Sequence, residues 1–145
     1  MTSISKSALL QYSAAEMYAL VADIESYPQF LPWCGGARIL RREDGVVTAA
    51  IDIAYGGVRK TFTTRNEGQP ADSMDMRLVE GPFRRLHGRW RFVALDERSC
   101  RISFDIEFEF SNLMLSLLIG PVFHQIANGM MDSFCARAVQ LYGRR

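Results

Sequence analysis

The sequence has little of what metal centres and disulfide-stabilised folds require. It contains only two histidines, His87 and His124, which are far apart and form no H-x-x-x-H pair, so we predict no metal site. Its three cysteines, Cys34, Cys100 and Cys135, include no C-x-x-C pair. An odd and scattered set is typical of reduced thiols in a cytosolic protein rather than of a disulfide framework.

The sequence also lacks an excess of charge of either sign. Its 145 residues include 17 Lys and Arg against 16 Asp and Glu, and the formal net charge of +1 predicts no DNA partner. The length fits one domain, residues 1–145. The first residues lack the apolar core of a signal peptide, and polar residues, Gly and Pro interrupt the longest uncharged run, so we predict no transmembrane helix. We expect a cytoplasmic protein, at most peripheral to the inner membrane.

Motifs that carry catalysis are missing as well. The chain has no G-x-S-x-G, no glycine-rich phosphate loop and no cysteine beside an evident base. The candidate carboxylates Asp52, Asp75 and Glu80 most simply face solvent, and they form no acid and base pair. We therefore expect a protein that is not an enzyme and requires no cofactor.

Two features organise the N-terminal part of the chain. Residues 2–11 are typical of a first strand, and S-A-A-E at 13–16 forms a capping box that begins an amphipathic helix. A second short turn follows and leads into YPQFLPWC at 27–34, where Pro32 should end it. This crowded apolar bend is unusual so early in a soluble chain.

From about residue 35 to 110 the hydrophobic period changes to two. Glycine-rich turns divide this region into five or six strands, which predicts an antiparallel, meandering sheet. In RISFDIEFEF the apolar residues from Ile102 to Phe110 point to one face and the polar residues to the other. An even register that sets Trp90 opposite Ile106 would pair Arg89 with Glu107, so we expect these arginines to have a structural role first.

The last segment is predicted to be helical. Gly120 and Pro121 suit a helix start, and apolar residues then recur at steps of three or four for about 20 residues. Such a helix can cover the apolar face of the sheet, which gives an α+β fold. Gly129 within it needs an explanation, and close packing, room for a ligand and a local bend all stay open. Between a curved sheet and a long helix we expect an apolar pocket of about 300–1,000 Å³.

Two motifs are specific when they are found together. They comprise Tyr27, Pro28, Phe30, Pro32 and Trp33, and then Gly81, Pro82, Phe83, Leu86, Gly88, Trp90 and Phe92. With these motifs the chain resembles the START-like coenzyme Q-binding family of the SRPBCC superfamily, whose bacterial branch contains ribosome association toxins of the RatA type. The resemblance covers nearly the whole chain and implies a helix-grip (START/Bet v 1-like) fold. In that fold, about six or seven strands curve around a long C-terminal helix, two short helices follow the first strand, and a hydrophobic tunnel lies inside.

The resemblance and the apolar pattern together favour binding of a lipophilic molecule. The expected ligand is ubiquinone or another prenyl lipid, held between sheet and helix by a carrier or chaperone that supports respiration. Apolar residues from the bend, the strands and the helix should line the tunnel. They are Phe30, Trp33, Phe62, Met76, Leu86, Trp90, Phe104, Phe108, Phe123, Ala127, Met130 and Phe134.

Two alternatives belong to other functional classes. A RatA-type protein would bind the large ribosomal subunit and block subunit association, and it would need free basic side chains for RNA phosphates. A polyketide cyclase or aromatase would need polar groups inside the cavity, which the clean apolar alternation disfavours. The candidate ribosome contacts are Arg38, Arg41, Arg42, Arg84 and Arg85.

Two apolar segments each allow two interpretations of their role. YPQFLPWC either gates the mouth of the tunnel or simply seals the edge of the core. NLMLSLLIGPVF at 112–123 either touches a membrane surface transiently while ligand is loaded, or forms a short helix packed on the domain, which we slightly favour.

Overall fold

The computed structural model describes the whole chain, Met1 to Arg145, as one sheet with helices on one of its faces. The elements are β1 (Thr2–Leu10), α1 (Ala14–Ala22), a 3₁₀ helix (Ile24–Gln29), β2 (Cys34–Glu43), β3 (Val46–Tyr55), β4 (Val58–Gln69), β5 (Ser73–Glu80), β6 (Phe83–Ala94), β7 (Cys100–Phe110) and α2 (Leu113–Tyr142).

All seven strands form a single antiparallel sheet in the order β1-β7-β6-β5-β4-β3-β2. Strands β2 to β7 follow one another through short turns, while β1 and β2, although consecutive, form opposite edges. The connection between them contains α1 and the 3₁₀ helix, the two short helices of the predicted fold. The α+β helix-grip architecture is therefore confirmed, with seven strands around one long C-terminal helix.

The predicted pairing of β6 with β7 has the correct faces but the wrong register. Trp90 lies opposite Phe104 rather than Ile106, and Arg89 lies opposite Asp105 rather than Glu107. The shift is two residues, so every side chain keeps its predicted face. Alternation in the sequence shows only whether a register is even or odd. The turn at 95–99 decides which residues pair, and in it the Leu95 amide donates to the Ser99 carbonyl.

The predicted capping box at the start of α1 is present. Ser13 Oγ accepts from the Glu16 amide at 3.0 Å, and the Ser13 amide donates to Glu16 Oε1 at 2.9 Å. Arg145 reaches the same carboxylate at 2.7 Å. The Arg145 guanidinium and the Ser13 amide together lower the pKa of Glu16 to about 2. This contact joins the first helix to the end of the chain.

The long helix begins earlier than predicted. Asn112 caps it by accepting from the Leu115 amide at 2.8 Å, so α2 starts at Leu113, and Gly120 and Pro121 lie inside the helix. Pro121 is exposed, so water can satisfy the carbonyl that its missing N–H leaves without an intrahelical partner. By length and by a mean hydropathy of 1.3, α2 could span a membrane, but its buried residues pack in the core of the domain.

The core lies between the inner face of the sheet and the helices. Phe123 of α2 contacts the aromatic rings of four strand residues, with centroid distances between 4.7 and 6.3 Å. In the C-terminal half of α2, the Phe134 ring lies edge-on to that of Trp90, with 5.1 Å between the ring centroids. These contacts hold the helix against the sheet at two points, and the candidate site lies between them.

A candidate hydrophobic ligand site

A small apolar cavity lies between the inner face of the sheet and α2. Its volume is about 50 Å³, and 13 of the 14 residues around it are hydrophobic. They come from the 3₁₀ helix and the bend after it, from β3 to β7 and from α2. The residues are Tyr27, Trp33, Ile51, Phe62, Thr64, Met76, Leu86, Trp90, Phe104, Ile106, Phe123, Ile126, Ala127 and Met130.

The structure brings nine of the twelve predicted tunnel residues to this cavity. Phe30, Phe108 and Phe134 do not line it but pack behind it. The Phe134 ring lies 5.1 Å from that of Phe30, and the Phe108 ring lies 4.7 Å from that of Phe123. The nine lining residues are Trp33, Phe62, Met76, Leu86, Trp90, Phe104, Phe123, Ala127 and Met130.

Five lining residues were missed from the sequence. Ile51 and Ile106 share the inward parity of their strands, so the alternation contained the signal for both. Ile126 lies one position before the predicted Ala127 on α2, at the edge of its apolar stripe. Thr64 shares the inward parity of the predicted Phe62, and Tyr27 belongs to the YPQFLPWC bend, but both have polar atoms and were left out of the predicted tunnel.

The cavity is much smaller than predicted. Its volume of about 50 Å³ lies far below the 300 Å³ at which ligand pockets usually begin. Met76 accounts for part of the difference, since its Cε lies only 2.7 Å from the position a Cβ on Gly88 would take. The absence of a side chain at Gly88 thus lets a flexible methionine reach into the interior. Methionine adapts to irregular space, so such a wall can move at low cost.

Few polar groups face this interior. The Thr64 hydroxyl donates to the Asn66 side-chain carbonyl at 2.9 Å, and both residues are buried. Tyr27 is the titratable residue of the wall; burial raises the pKa of its phenol, whose hydroxyl donates to the Val21 carbonyl. Trp90 is fully buried, and its indole nitrogen has no hydrogen-bond acceptor. The wall therefore offers one fully buried donor without a partner and no pair of groups suited to acid and base catalysis.

The bend YPQFLPWC separates this cavity from a groove on the surface. The groove has a volume of about 110 Å³ and is lined by Pro32, Trp33, Tyr55, Gln125, Ile126, Gly129 and Ser133. Trp33 and Ile126 line both spaces, so these two side chains form the wall between them. No atom lies within 4 Å of a Cβ built on Gly129. Close packing therefore does not explain this glycine, which borders open space.

The five arginines predicted to contact the ribosome are not brought together. Three of them belong to β2 at one edge of the sheet and two to β6, and strands β3, β4 and β5 lie between these groups. Arg38 pairs with Asp52 at 2.9 Å, Arg84 lies 3.7 Å from Glu109, and Arg41 lies 3.4 Å from Glu43. Arg42 and Arg85 are exposed.

A different pair of arginines meets on the outer face of the sheet. Arg65 of β4 lies directly opposite Arg77 of β5, which in turn lies opposite His87 of β6. Asp75 lies beside this group, with its oxygens 3.4 Å from Arg77 Nε, 3.0 Å from His87 Nε2 and 3.1 Å from Arg89. Burial raises the pKa of Asp75, but these hydrogen bonds outweigh it and leave the pKa below its usual value.

The apolar segment at the start of α2 packs on the domain by one face only. Ile119 and Phe123 are buried in the core, whereas Leu113, Met114, Leu117 and Leu118 are between 58 and 77 % exposed. The favoured packing on the domain is therefore present for part of the segment, but the segment is the start of the long helix and not a separate short one. The first two turns of α2 instead present one apolar face to solvent.

Comparison with known proteins agrees with the architecture. Residues 10–135 match the family described as "Polyketide cyclase / dehydrase and lipid transport". Over all 145 residues the chain is 48 % identical to the ribosome association toxin RatA of Escherichia coli, of which it covers 92 %. It is 30 % identical to the coenzyme Q-binding protein COQ10 homolog B, mitochondrial, of Xenopus laevis, over 97 % of this chain and 59 % of that protein. The crystal structure of the Zhui aromatase/cyclase from a Streptomyces species superposes with a TM-score of 0.83 at 16 % identity, covering 99 % of both chains.

Proposed function

The chain belongs to the polyketide cyclase/dehydrase and lipid transport family, and from that premise we propose that it binds a lipophilic small molecule without transforming it. The ligand class is ubiquinone or another prenyl lipid, and the role is that of a carrier or chaperone. One observation carries this proposal: a cavity enclosed by sheet and helix whose wall is apolar at 13 of 14 residues. Such a wall suits hydrophobic transfer of a ligand and lacks groups for catalysis.

Binding requires the cavity to expand. A cavity of about 150 Å³ holds benzene, so the present 50 Å³ cannot hold a substituted quinone ring. Burial of roughly 300 Å² of ligand surface would contribute about 7 kcal/mol at 25 cal/mol per Å², which can offset such a rearrangement. Met76 and Met130 are the wall residues with the most freedom to move.

The surface groove beside Gly129 supplies the route for ligand exchange in this proposal. Trp33 and Ile126 separate the groove from the cavity, so rotation of these two side chains would join the spaces. The groove has room, since nothing lies within 4 Å of a Cβ at Gly129. In this view YPQFLPWC acts as the gate, and its prolines hold Trp33 in position.

Ligand binding is tested by extraction and by a matched pair of variants. Lipids extracted from freshly purified protein are identified by mass spectrometry, and decylubiquinone is titrated while tryptophan fluorescence is recorded. Ala127→Leu adds volume at the cavity wall and should weaken binding, whereas Ala136→Leu adds it on the exposed side of α2 and should not. A protein that contains no lipid and ignores added quinone would refute the proposal.

A second candidate function is association with the large ribosomal subunit. The 48 % identity to a ribosome association toxin over the whole chain favours it, and the opposed Arg65 and Arg77 offer exposed positive charge for RNA phosphates. Arg77 also lies 3.4 Å from Asp75, which offsets part of the repulsion between the two arginines, while both arginine side chains remain exposed. In this candidate function the protein would block the joining of the two subunits.

Co-sedimentation with purified large subunits over a range of salt concentrations tests this second function. The double variant R65A/R77A should bind more weakly and lower the salt slope by about two, because two phosphate contacts are lost. Arg101→Ala, an exposed arginine on β7, is the matched control and should change neither quantity. Normal subunit joining in the presence of a large excess of the protein would argue against this function.

A further inference from the structure

Trp90 poses a chemical problem that its packing does not solve. The residue is 0 % exposed, and its indole nitrogen is the one buried side-chain nitrogen or oxygen in the structure without a hydrogen-bond partner. Buried indole N–H groups usually find an acceptor, since an unpaired one has lost its water without compensation. A donor left in this state therefore calls for an explanation.

The neighbours of Trp90 offer no acceptor. Its ring lies 4.4 Å from that of Phe104 and 5.1 Å from that of Phe134, centroid to centroid, and Met74 lies opposite it on β5. Phenylalanine would make the same apolar contacts without a buried polar atom. The indole nitrogen thus adds nothing to the packing that the structure reveals, although Trp90 lines the cavity.

We propose that the Trp90 N–H is the polar recognition group of the cavity and donates a hydrogen bond to a carbonyl or ether oxygen of the bound ligand. This inference rests on the proposed ligand-binding function and narrows its ligand class. The guest is an apolar molecule whose head carries a hydrogen-bond acceptor, as a quinone does. A purely hydrocarbon guest would leave the donor unpaired.

The other polar side chain of the wall does not compete for this role. Thr64 already donates its proton to Asn66, so it can accept a hydrogen bond but not give one. It also lies on β4, separated from β6 by β5. The wall therefore has a single fully buried donor without a partner, and that donor would orient a ligand through one acceptor.

The first test observes the N–H directly. The protein has two tryptophans, so a spectrum of ¹⁵N-labelled protein contains two indole signals, and Trp33→Phe assigns them. Decylubiquinone should move the Trp90 indole proton downfield as the hydrogen bond forms. Decylbenzene, which has the same tail length and no oxygen, should not cause that downfield shift. A Trp90 indole signal that responds equally to both probes would overturn the inference, whatever the affinities.

The second test measures the ratio of the affinities for the same two probes. A hydrogen bond of ordinary net strength is equivalent to a factor of about three to ten in affinity. The preference for decylubiquinone should therefore fall about three- to tenfold in Trp90→Phe and stay unchanged in Ala136→Leu, which alters an exposed position of α2 outside the cavity wall. An unchanged preference in Trp90→Phe overturns the inference while leaving ligand binding intact. If the wild-type protein binds neither probe, the proposed function fails and this inference fails with it.

Discussion

Gly129 allows a sharp test of the geometry of α2 and the groove beside it. The residue lies well inside the helix, seventeen positions from the cap at Asn112, and no atom lies within 4 Å of the position its Cβ would occupy. Gly129→Ala therefore adds a methyl group to open space. The substitution removes the conformational freedom of glycine from the unfolded chain and costs no contact in the folded one.

The expected magnitude follows from helix propensity. Alanine is more favourable than glycine by about 1 kcal/mol in a helix interior, and no steric term subtracts from it here. For a domain of this size a gain of about 1 kcal/mol raises the melting temperature by roughly 3 °C. Decylubiquinone binding should be unaffected, since a methyl group occupies little of a groove of about 110 Å³.

Urea denaturation followed by circular dichroism measures the effect, and Gly143→Ala provides the control of opposite sign. Gly143 follows the last turn of α2 with φ 81° and ψ 169°, a conformation essentially open only to glycine, and its carbonyl accepts from Tyr12 at 2.6 Å. Alanine there should destabilise the fold by about 1–3 kcal/mol. A Gly129→Ala protein that is less stable than wild type would refute the open groove and with it the proposed exchange route.

Three further perturbations test other parts of the molecule. Arg145→Gln should raise the pKa of Glu16 from about 2 towards 4.5; because the folded-state pKa is depressed, the pair stabilises the fold above about pH 4.5 and loses this contribution as the pH falls to 2. Urea titrations of the wild type and the variant at pH 7 and pH 2 measure this contribution. Equal free energies of unfolding of the two proteins at pH 7 would contradict the prediction. Tyr27→Phe should lower the free energy of unfolding by about 1 kcal/mol, since a backbone carbonyl of α1 loses its donor; an unchanged urea midpoint would show that the bond contributes nothing. Gly88→Ala should displace the Met76 methyl into the cavity, since that methyl lies 2.7 Å from the position of the new Cβ. Decylubiquinone binding in a fluorescence titration should then be weaker, and tighter binding would contradict the cavity geometry.

The inward faces of the strands could be predicted from the sequence, but the pairing of individual residues could not. Alternation in β7 gives a period of two, and any even shift preserves it. The two-residue error at Trp90 is of this kind. The start of α2 was misplaced for a related reason, since Gly120 and Pro121 match a helix start as well as they match a turn inside a helix. Asn112 before an apolar run was the competing signal, and its side chain does cap the helix.

The location of the cavity could be predicted, but its volume could not. Inward parity on the strands and the apolar stripe of α2 are sequence properties, and together they identified eight of the wall residues, while the YPQFLPWC bend supplied Trp33. Volume depends on rotamers and on single contacts, such as the Met76 side chain that lies over Gly88. No period in a sequence encodes such a contact. The unpaired nitrogen of Trp90 is likewise a property of its neighbours, and the sequence shows only a tryptophan in an apolar strand.

The two candidate functions are thermodynamically separable because they use different faces. A ligand would lie between the inner face of the sheet and α2, while RNA would contact exposed groups such as Arg65 and Arg77 on the outer face. Yet a ligand too large for 50 Å³ must move the wall, and where movement of Met76 and Met130 does not make enough room it must deform the sheet or displace α2, which would carry the change to the outer surface. If one protein performs both functions, the coupling between the two binding sites must be reciprocal. When bound quinone changes the affinity of the protein for the large subunit by some factor, the bound subunit changes its affinity for the quinone by the same factor. We expect decylubiquinone to shift the co-sedimentation isotherm of the wild-type protein and Ala127→Leu to abolish that shift. If saturating quinone does not shift the isotherm, the rearrangement of the cavity does not reach the outer face of the sheet. The two functions, where both exist, would then be independent.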